Sequence, residues 1–118
     1  MDRHARPLVS EVERAWRILV ATQGTVAVQD LVRDSGWSRR HFTARFTDHT
    51  GLPPKAFARI LRFQRAANLL GQPGRSLCEI ALGCGYYDQA HLNRDFREFA
   101  GCTPTELRAR RLPAGYAG

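Results

Sequence analysis

The sequence predicts an all-α protein of seven helices, and three observations support that fold class. Apolar residues recur at the three- and four-residue spacing of amphipathic helices, whereas no segment alternates convincingly as a half-buried strand does. Glycine, proline and helix-capping residues separate these stretches. Two stretches that begin 49 residues apart, GWSRRHFTARFTDHTGLPP and GYYDQAHLNRDFREFAGCTP, repeat one pattern of glycine, aromatic, His, apolar, Phe, glycine and proline. The 118 residues suffice for one domain or two very small ones.

The first two helices are predicted from apolar spacing and from the glycine that follows each of them. Residues 10–22 form an amphipathic helix, and residues 28–34 form a short helix that ends at Gly36. Ala27 precedes the second helix, so this helix lacks a capping side chain. We expect Trp16 to lie in the core, as part of the apolar stripe of the first helix. That stripe comprises Val9, Val12, Trp16, Leu19 and Val20.

The next two helices complete the first repeat and connect it to the second. Ser38 can cap a third helix over about residues 38–49, and Gly51 can end it in the left-handed conformation. Two prolines then suit the first turn of a longer fourth helix, which reaches residue 70. These elements predict a first helix-turn-helix subdomain over residues 1–52 and a linker helix over residues 53–71.

The last three helices each begin at a capping residue. A Ser-Leu-Cys-Glu capping box at residues 76–79 opens the fifth helix, since Ser and Glu each accept a hydrogen bond from the other's backbone amide. Asp88 can cap a sixth helix over about residues 88–99, and a Thr-Pro-Thr-Glu sequence opens the seventh. A second helix-turn-helix subdomain is thus predicted over residues 72–112, followed by a tail over residues 113–118.

The repeat itself indicates why the pattern occurs twice. Gly36 aligns with Gly85 at an offset of 49, and after one inserted residue His41 aligns with His91 at an offset of 50. Each copy consists of a short helix, a glycine-containing turn and a second helix, which is the layout of a helix-turn-helix. The shared glycine and apolar positions predict a common scaffold, whereas the differing polar positions predict two different recognition surfaces.

The charge of the chain indicates an anionic partner. The net charge is +7 and the pI is near 10.3. Between residues 39 and 65 there are seven basic residues and one acidic residue. A polyanion such as DNA is the natural partner of such a surface. Docking of this surface to an acidic protein or to RNA is the alternative. Catalysis is the least favoured function, because the sequence has no glycine-rich phosphate loop and no credible nucleophile–base–acid set.

The outward faces of the two second helices favour DNA recognition over simple solvation. They combine small residues with Arg, Asn, Gln and Thr, and they lack the Lys and Glu of an ordinary solvated face. Small residues permit close approach to a groove, Arg pairs with guanine, and Asn or Gln pairs with adenine. The outward positions are Arg40, Thr43, Ala44 and Thr47 in the third helix and Gln89, Ala90, Asn93, Arg94 and Arg97 in the sixth.

The motifs GWSRRHFTARF, RFQRAANLL, IALGCGYYDQAHLNRDF and GCTPTEL resemble the DNA-binding domain of the AraC/XylS family of bacterial transcription regulators. The resemblance covers about residues 26–110. It implies that the two second helices enter successive major grooves of double-stranded DNA. By motif position, it implies base contacts from Arg40, Thr43, Ala44, Gln89, Ala90, Asn93 and Arg94. Phosphate contacts are expected from Arg39, Arg45, His41, His91 and Arg97.

The remaining expectations concern the three cysteine thiols, the cellular compartment and the other domains of a longer regulator. Cys78, Cys84 and Cys102 are odd in number and lack C-x-x-C spacing, so we expect reduced, packed and inert thiols, with no metal and no cofactor. No apolar run approaches the roughly 20 residues of a membrane span, and no signal peptide is evident, which predicts a cytoplasmic protein. The resemblance also implies an effector or dimerisation domain in a longer regulator, with RNA polymerase as a further candidate partner.

Overall fold

The computed structural model describes residues 6–111 and the side chains of residues 11–110; the described chain contains seven α-helices and no strand. The helices are α1 (Arg6–Ala21), α2 (Val28–Ser35), α3 (Arg39–Thr50), α4 (Pro54–Leu70), α5 (Leu77–Gly83), α6 (Gln89–Ala100) and α7 (Pro104–Arg111). The predicted fold class and helix order are confirmed, although α1 begins at Arg6 rather than at residue 10. The predicted tail over residues 113–118 lies outside the described residues.

The chain divides into two compact units, residues 1–61 and residues 62–118, and the division falls inside α4. Each unit has a hydrophobic core of its own. The core of the first unit contains Val12, Ala15, Leu19, Leu31, Phe42, Phe46 and Ala58. The core of the second unit contains Ala66, Ala67, Leu70, Ile80, Ala81, Cys84, Tyr86, Leu92 and Phe96. In both units the second helix of the repeat supplies an aromatic residue that is 0% exposed.

α1 buries only part of the apolar stripe that the sequence predicted, and the side chain of Val9 lies outside the described residues. Val12, Ala15 and Leu19 face the core, whereas Trp16 is 43% exposed and Val20 is 41% exposed. The prediction that Trp16 lies in the core was therefore wrong. At 100° per residue the buried stripe is centred between Val12 and Ala15, which leaves residues 16 and 20 progressively to one side of it.

The predicted capping boxes are confirmed in the second unit. The Ser76 hydroxyl accepts a hydrogen bond from the Glu79 amide at 3.1 Å, and the Glu79 carboxylate accepts one from the Ser76 amide at 3.0 Å. Thr103 and Glu106 make the same pair of bonds at 3.1 and 3.0 Å. Ala27 makes no side-chain cap at the start of α2, as expected. The N-terminal amides of α5 and α7 are therefore paired by side chains, which stabilises both helix starts.

The glycine of each helix-turn-helix adopts a backbone conformation that favours glycine. Gly36 has φ 77° and its repeat partner Gly85 has φ 88°. A β-carbon built on Gly36 would meet nothing within 4 Å, so the left-handed backbone rather than crowding accounts for glycine there. These two turns set the direction in which α3 and α6 leave the preceding helix.

Candidate nucleic-acid interface

The two units begin their second helices in the same way. The Ser38 hydroxyl accepts a hydrogen bond from the His41 amide at 3.1 Å. The Asp88 carboxylate accepts one from the His91 amide at 2.9 Å. Both capping residues have extended backbone conformations before the helix starts. The predicted caps of α3 and α6 are confirmed, and they fix the first turn of each helix.

A second contact recurs in both units between the histidine and the aromatic residue of the turn. The His41 ring lies edge-on to Trp37 at a centroid distance of 4.7 Å, and the His91 ring lies edge-on to Tyr86 at 5.0 Å. In addition, the Tyr87 amide donates to His91 Nδ1 at 3.3 Å, so a neutral His91 carries its proton on Nε2. Both histidines thus support the frame of the turn, while their predicted phosphate contacts stay a prediction.

The predicted base-contacting residues on the outer face of α3 differ in their solvent exposure. Phe42 and Phe46 are 0% exposed, which turns the opposite side of the helix outward. Arg40 and Ala44 are exposed there, and Thr43 is half-buried. The face therefore combines one long cationic side chain with two short ones, a combination that allows the backbone of α3 to approach a partner closely.

The predicted phosphate contacts of α3 differ in how available they are. Arg39 and His41 are exposed. Arg45, by contrast, donates from Nη2 to the Asp48 carboxylate at 2.8 Å, with the Arg45 side chain 36% exposed. A phosphate at Arg45 has to compete with Asp48. Sequence reasoning did not anticipate this pair, although the spacing of three residues on one helix face was the available signal.

The outer face of α6 exposes most of its predicted contacts. Leu92 and Phe96 are 0% exposed and hold the opposite side of the helix in the core. Exposed on the outer side are Gln89, Ala90, Arg94 and Arg97. His91 and Asn93 are half-buried. α6 therefore presents two arginines and one glutamine, a set that can recognise bases and phosphates.

Asn93 is a predicted base contact whose side-chain oxygen is not accessible from the outer face of α6. Its Oδ1 atom is enclosed and has no hydrogen-bond partner among the described residues. Pairing with adenine uses both the oxygen and the nitrogen of an Asn side chain. In this rotamer Asn93 cannot offer both atoms, so it has to rotate before it can form such a pair.

A polar cluster inside the second unit links α4 to α6, and sequence reasoning missed it. Asp95 and Tyr86 are each only 3% exposed, and the Arg62 guanidinium carbon lies 6.0 Å from the centre of the Tyr86 ring. Burial raises the pKa of Tyr86 above its ordinary value of 10.0; the Asp95 carboxylate raises it further, and Arg62 acts in the opposite direction. Arg62, which counted toward the basic surface in the sequence, therefore takes part in packing of the second unit.

The cysteines divide into two kinds. Cys84 and Cys102 are buried, as expected, whereas Cys78 is exposed, so the expectation of a packed thiol was wrong for Cys78. Burial raises the pKa of the Cys84 thiol above its ordinary value of 9.0, although Arg65 and Arg75 act in the opposite direction. The Cys84 thiolate is thus disfavoured, and the thiol behaves as a small apolar core residue.

Features of the described residues outside α3 and α6 bear on other kinds of site. Within residues 6–111 no three His, Cys, Asp or Glu side chains are grouped so that they could hold a metal ion. No helix in the same part is both long enough and apolar enough to cross a membrane. An open groove of about 350 Å³ in the first unit is lined by Val12, Glu13, Trp16, His49, Thr50 and Phe57. None of these six residues belongs to the predicted DNA-contacting set.

Comparison with known proteins identifies the family. A family model described as a helix-turn-helix domain matches residues 31–110. The solved structure of a transcriptional regulator with an AraC-type DNA-binding domain, from Chromobacterium violaceum, has a TM-score of 0.73 and 29% identity, covering 93% of this chain and 96% of that one. The chain belongs to the AraC family of transcription regulators.

Two other proteins that are similar to this AraC-family chain are a domain solved in complex with DNA and a transcription activator. The DNA-binding domain of AdpA, a global transcriptional factor crystallised in complex with a target DNA, is 31% identical with a TM-score of 0.73, covering 88% of this chain and 91% of that one. The transcriptional activator RhaS of Escherichia fergusonii is 35% identical over 71 residues, which are 60% of this chain and 26% of RhaS. Curated relatives are much longer than this chain, which spans 36%, 30% and 28% of the length of three of them.

Proposed function

We propose that this chain binds double-stranded DNA sequence-specifically through α3 and α6, and that it regulates transcription in this way. The observation that carries the proposal is that the two helix-turn-helix units have equivalent structures. In each unit a side chain caps the second helix, and a histidine packs edge-on against an aromatic ring of the turn. In each unit the outer face of that helix exposes arginine and short side chains. The likeness to the AdpA domain, which was crystallised with its target DNA, supports the class of partner.

The two helices are proposed to occupy successive major grooves, about 34 Å apart along the duplex. α4 would act as the linker helix between subdomains over residues 1–52 and 72–112. Because the polar residues of α3 and α6 differ, one chain would recognise two unlike half-sites, without the symmetric dimer that a palindromic operator implies.

The roles proposed for individual residues come from their positions in the repeated motif, as the resemblance to the AraC/XylS family implies them. Base contacts are assigned to Arg40, Thr43 and Ala44 in the first half-site and to Gln89, Ala90, Asn93 and Arg94 in the second. Phosphate contacts are assigned to Arg39, His41, Arg45, His91 and Arg97. An arginine donates two hydrogen bonds to the major-groove edge of guanine, which makes the exposed Arg40 and Arg94 the strongest candidates for sequence discrimination.

Further partners belong to the whole regulator of which such domains form a part. We propose an effector-binding or dimerisation domain in the longer protein and contact with RNA polymerase at the promoter. We place the protein in the cytoplasm and assign it a binding role rather than a catalytic one. The length of the curated relatives supports the additional domain.

The first experiment is a selection of bound duplexes from a random pool, followed by affinity measurements over a range of salt concentrations. A preferred duplex should bind orders of magnitude more tightly than random duplex or RNA. Its affinity should fall steeply with salt, because each phosphate contact releases condensed counterions. Equal competition by RNA or by random duplex would contradict sequence-specific recognition and would favour a basic docking surface instead.

A matched pair of variants then separates base contacts from phosphate contacts on α6. Arg94→Ala should cost about 1–3 kcal/mol on the selected duplex and relax the preference at one base position. Arg97→Ala should weaken all duplexes equally and reduce the salt dependence by about one phosphate contact. If Arg94→Ala behaves as Arg97→Ala is expected to behave, the base contact assigned to Arg94 is wrong.

A further inference from the structure

The second unit contains one residue that has no counterpart in the first unit. The turn glycines Gly36 and Gly85 are 49 positions apart, whereas the capping residues Ser38 and Asp88 are 50 positions apart. Trp37 and Tyr86 make equivalent contacts with the histidines of their units. The inserted residue therefore lies between Tyr86 and the cap of α6, and that residue is Tyr87.

The backbone amide of Tyr87 is hydrogen-bonded within the turn, whereas its side chain is exposed to solvent. The backbone amide is bound into the frame of the turn, since it donates to His91 Nδ1 at 3.3 Å. The side chain is 86% exposed, whereas the neighbouring Tyr86 is 3% exposed. The insertion thus fixes a solvated aromatic ring two positions before Gln89, the first residue of α6. In the part of the second unit that the structure describes, packing does not account for an aromatic residue there, because the ring is almost fully exposed.

We propose that Tyr87 is a specificity-determining residue whose ring packs on the 5-methyl group of a thymine in the half-site bound by α6. This inference rests on the proposed DNA-binding function. The N-terminal part of a recognition helix is the part that contacts base edges, and Tyr87 directly precedes the cap of that part. The thymine methyl is the apolar group that the major groove offers. A contact made only by the hydroxyl with a phosphate would leave the apolar ring in water.

The proposal also predicts an asymmetry between the two half-sites. In the first unit Trp37 is followed directly by the cap Ser38, so α3 has no residue equivalent to Tyr87. A thymine contact of this kind should therefore occur only in the half-site of α6. Methyl contacts made by other residues, such as Thr43 or Ala90, are independent of Tyr87.

The test replaces each thymine of the duplex selected by this chain with deoxyuridine, one at a time, which removes only the 5-methyl group. The unmodified protein should lose about fourfold in affinity at one position of the α6 half-site, the factor that corresponds to one buried methyl group. Tyr87→Ala should bind the unsubstituted duplex about tenfold more weakly. It should be indifferent to deoxyuridine at that one position and keep its sensitivity at any other.

Two further variants keep the test specific. Tyr87→Phe should retain both the affinity and the sensitivity to deoxyuridine, because the ring rather than the hydroxyl makes the contact. Leu82→Ala removes another exposed apolar side chain of the same unit, which is 61% exposed on α5, and should bind like the unmodified protein. A Tyr87→Phe variant as weak as Tyr87→Ala would identify a hydroxyl contact and overturn the proposal.

The remaining outcomes distinguish this inference from the proposed function. If the chain selects a duplex and binds it, but Tyr87→Ala keeps the unmodified affinity and deoxyuridine profile, the role of Tyr87 is wrong and the proposed function stands. A selected α6 half-site without thymine has the same meaning. If the chain selects no duplex at all, both proposals fail together.

Discussion

The buried phenol of Tyr86 makes a quantitative prediction about stability at high pH. Tyr86 is 3% exposed, and its pKa lies above the ordinary value of 10.0, first because of burial and then because of the Asp95 carboxylate. The native state therefore keeps the phenolic proton at a pH where the unfolded chain releases it. Stability from this group is fully present below pH 10 and is lost as the pH rises above it.

The size of the effect follows from the linkage between protonation and folding. With an unfolded pKa near 10 and a native phenol whose raised pKa keeps it protonated over this range, ionisation of the unfolded state lowers the free energy of unfolding by about 0.4 kcal/mol at pH 10 and about 1.4 kcal/mol at pH 11. Tyr86→Phe has no phenol to ionise, so this part of the loss should disappear. Arg62 acts against the shift without reversing it.

The assay is urea unfolding followed by circular dichroism, for both proteins, at half-unit steps between pH 8 and pH 11. The difference in free energy of unfolding between the two proteins should change by about 1.4 kcal/mol over this range, with the unmodified protein losing more. Other groups that titrate there and are not coupled to Tyr86 are common to both proteins and cancel, whereas Cys84 interacts with the Tyr86 phenol and does not cancel completely. Parallel curves for the two proteins would refute the argument that burial of Tyr86 controls its ionisation.

Three other predictions test a cap, an ion pair and the thiols. Ser76→Ala should lower the free energy of unfolding of the second unit by about 1 kcal/mol in urea, and an unchanged midpoint would contradict the role of the capping box. Asp48→Asn should leave Arg45 available to phosphate. Binding to the selected duplex, measured by fluorescence anisotropy, should then tighten at low salt and depend more steeply on salt. Weaker binding would show instead that Asp48 holds Arg45 in the position in which it contacts phosphate. With a chromogenic disulfide reagent Cys78 should react in the folded protein, whereas Cys84 should react only after unfolding, and equal rates would contradict the burial of Cys84.

Local signals in the sequence predicted most of the fold. Caps and left-handed turns depend on residues close together in the chain, so Ser38, Asp88 and Gly36 could be assigned before the structure was known. Trp16 was placed wrongly because a helix with apolar residues on several sides does not itself indicate which of them face the neighbouring helices. That choice depends on α2 and α3, which meet α1 only in the folded unit.

The candidate site could be predicted in outline but not in its detailed contacts. The buried Phe42 and Phe46 fix the side of α3 that faces outward, and this orientation follows from helical periodicity. The ion pair of Arg45 with Asp48 and the enclosed oxygen of Asn93 depend on rotamers, which a sequence pattern does not specify. The packing of Arg62 with Tyr86 joins residues far apart in the chain, and no local pattern indicates it.

Because α4 contributes residues to two separate cores, the two units can evolve separately. Ala58 of α4 belongs to the first core, and Ala66 and Leu70 belong to the second. A substitution in one core therefore acts on buried residues that the other core does not share. Each unit can consequently accumulate substitutions separately, and under the proposed function each half-site of a promoter can change separately as well.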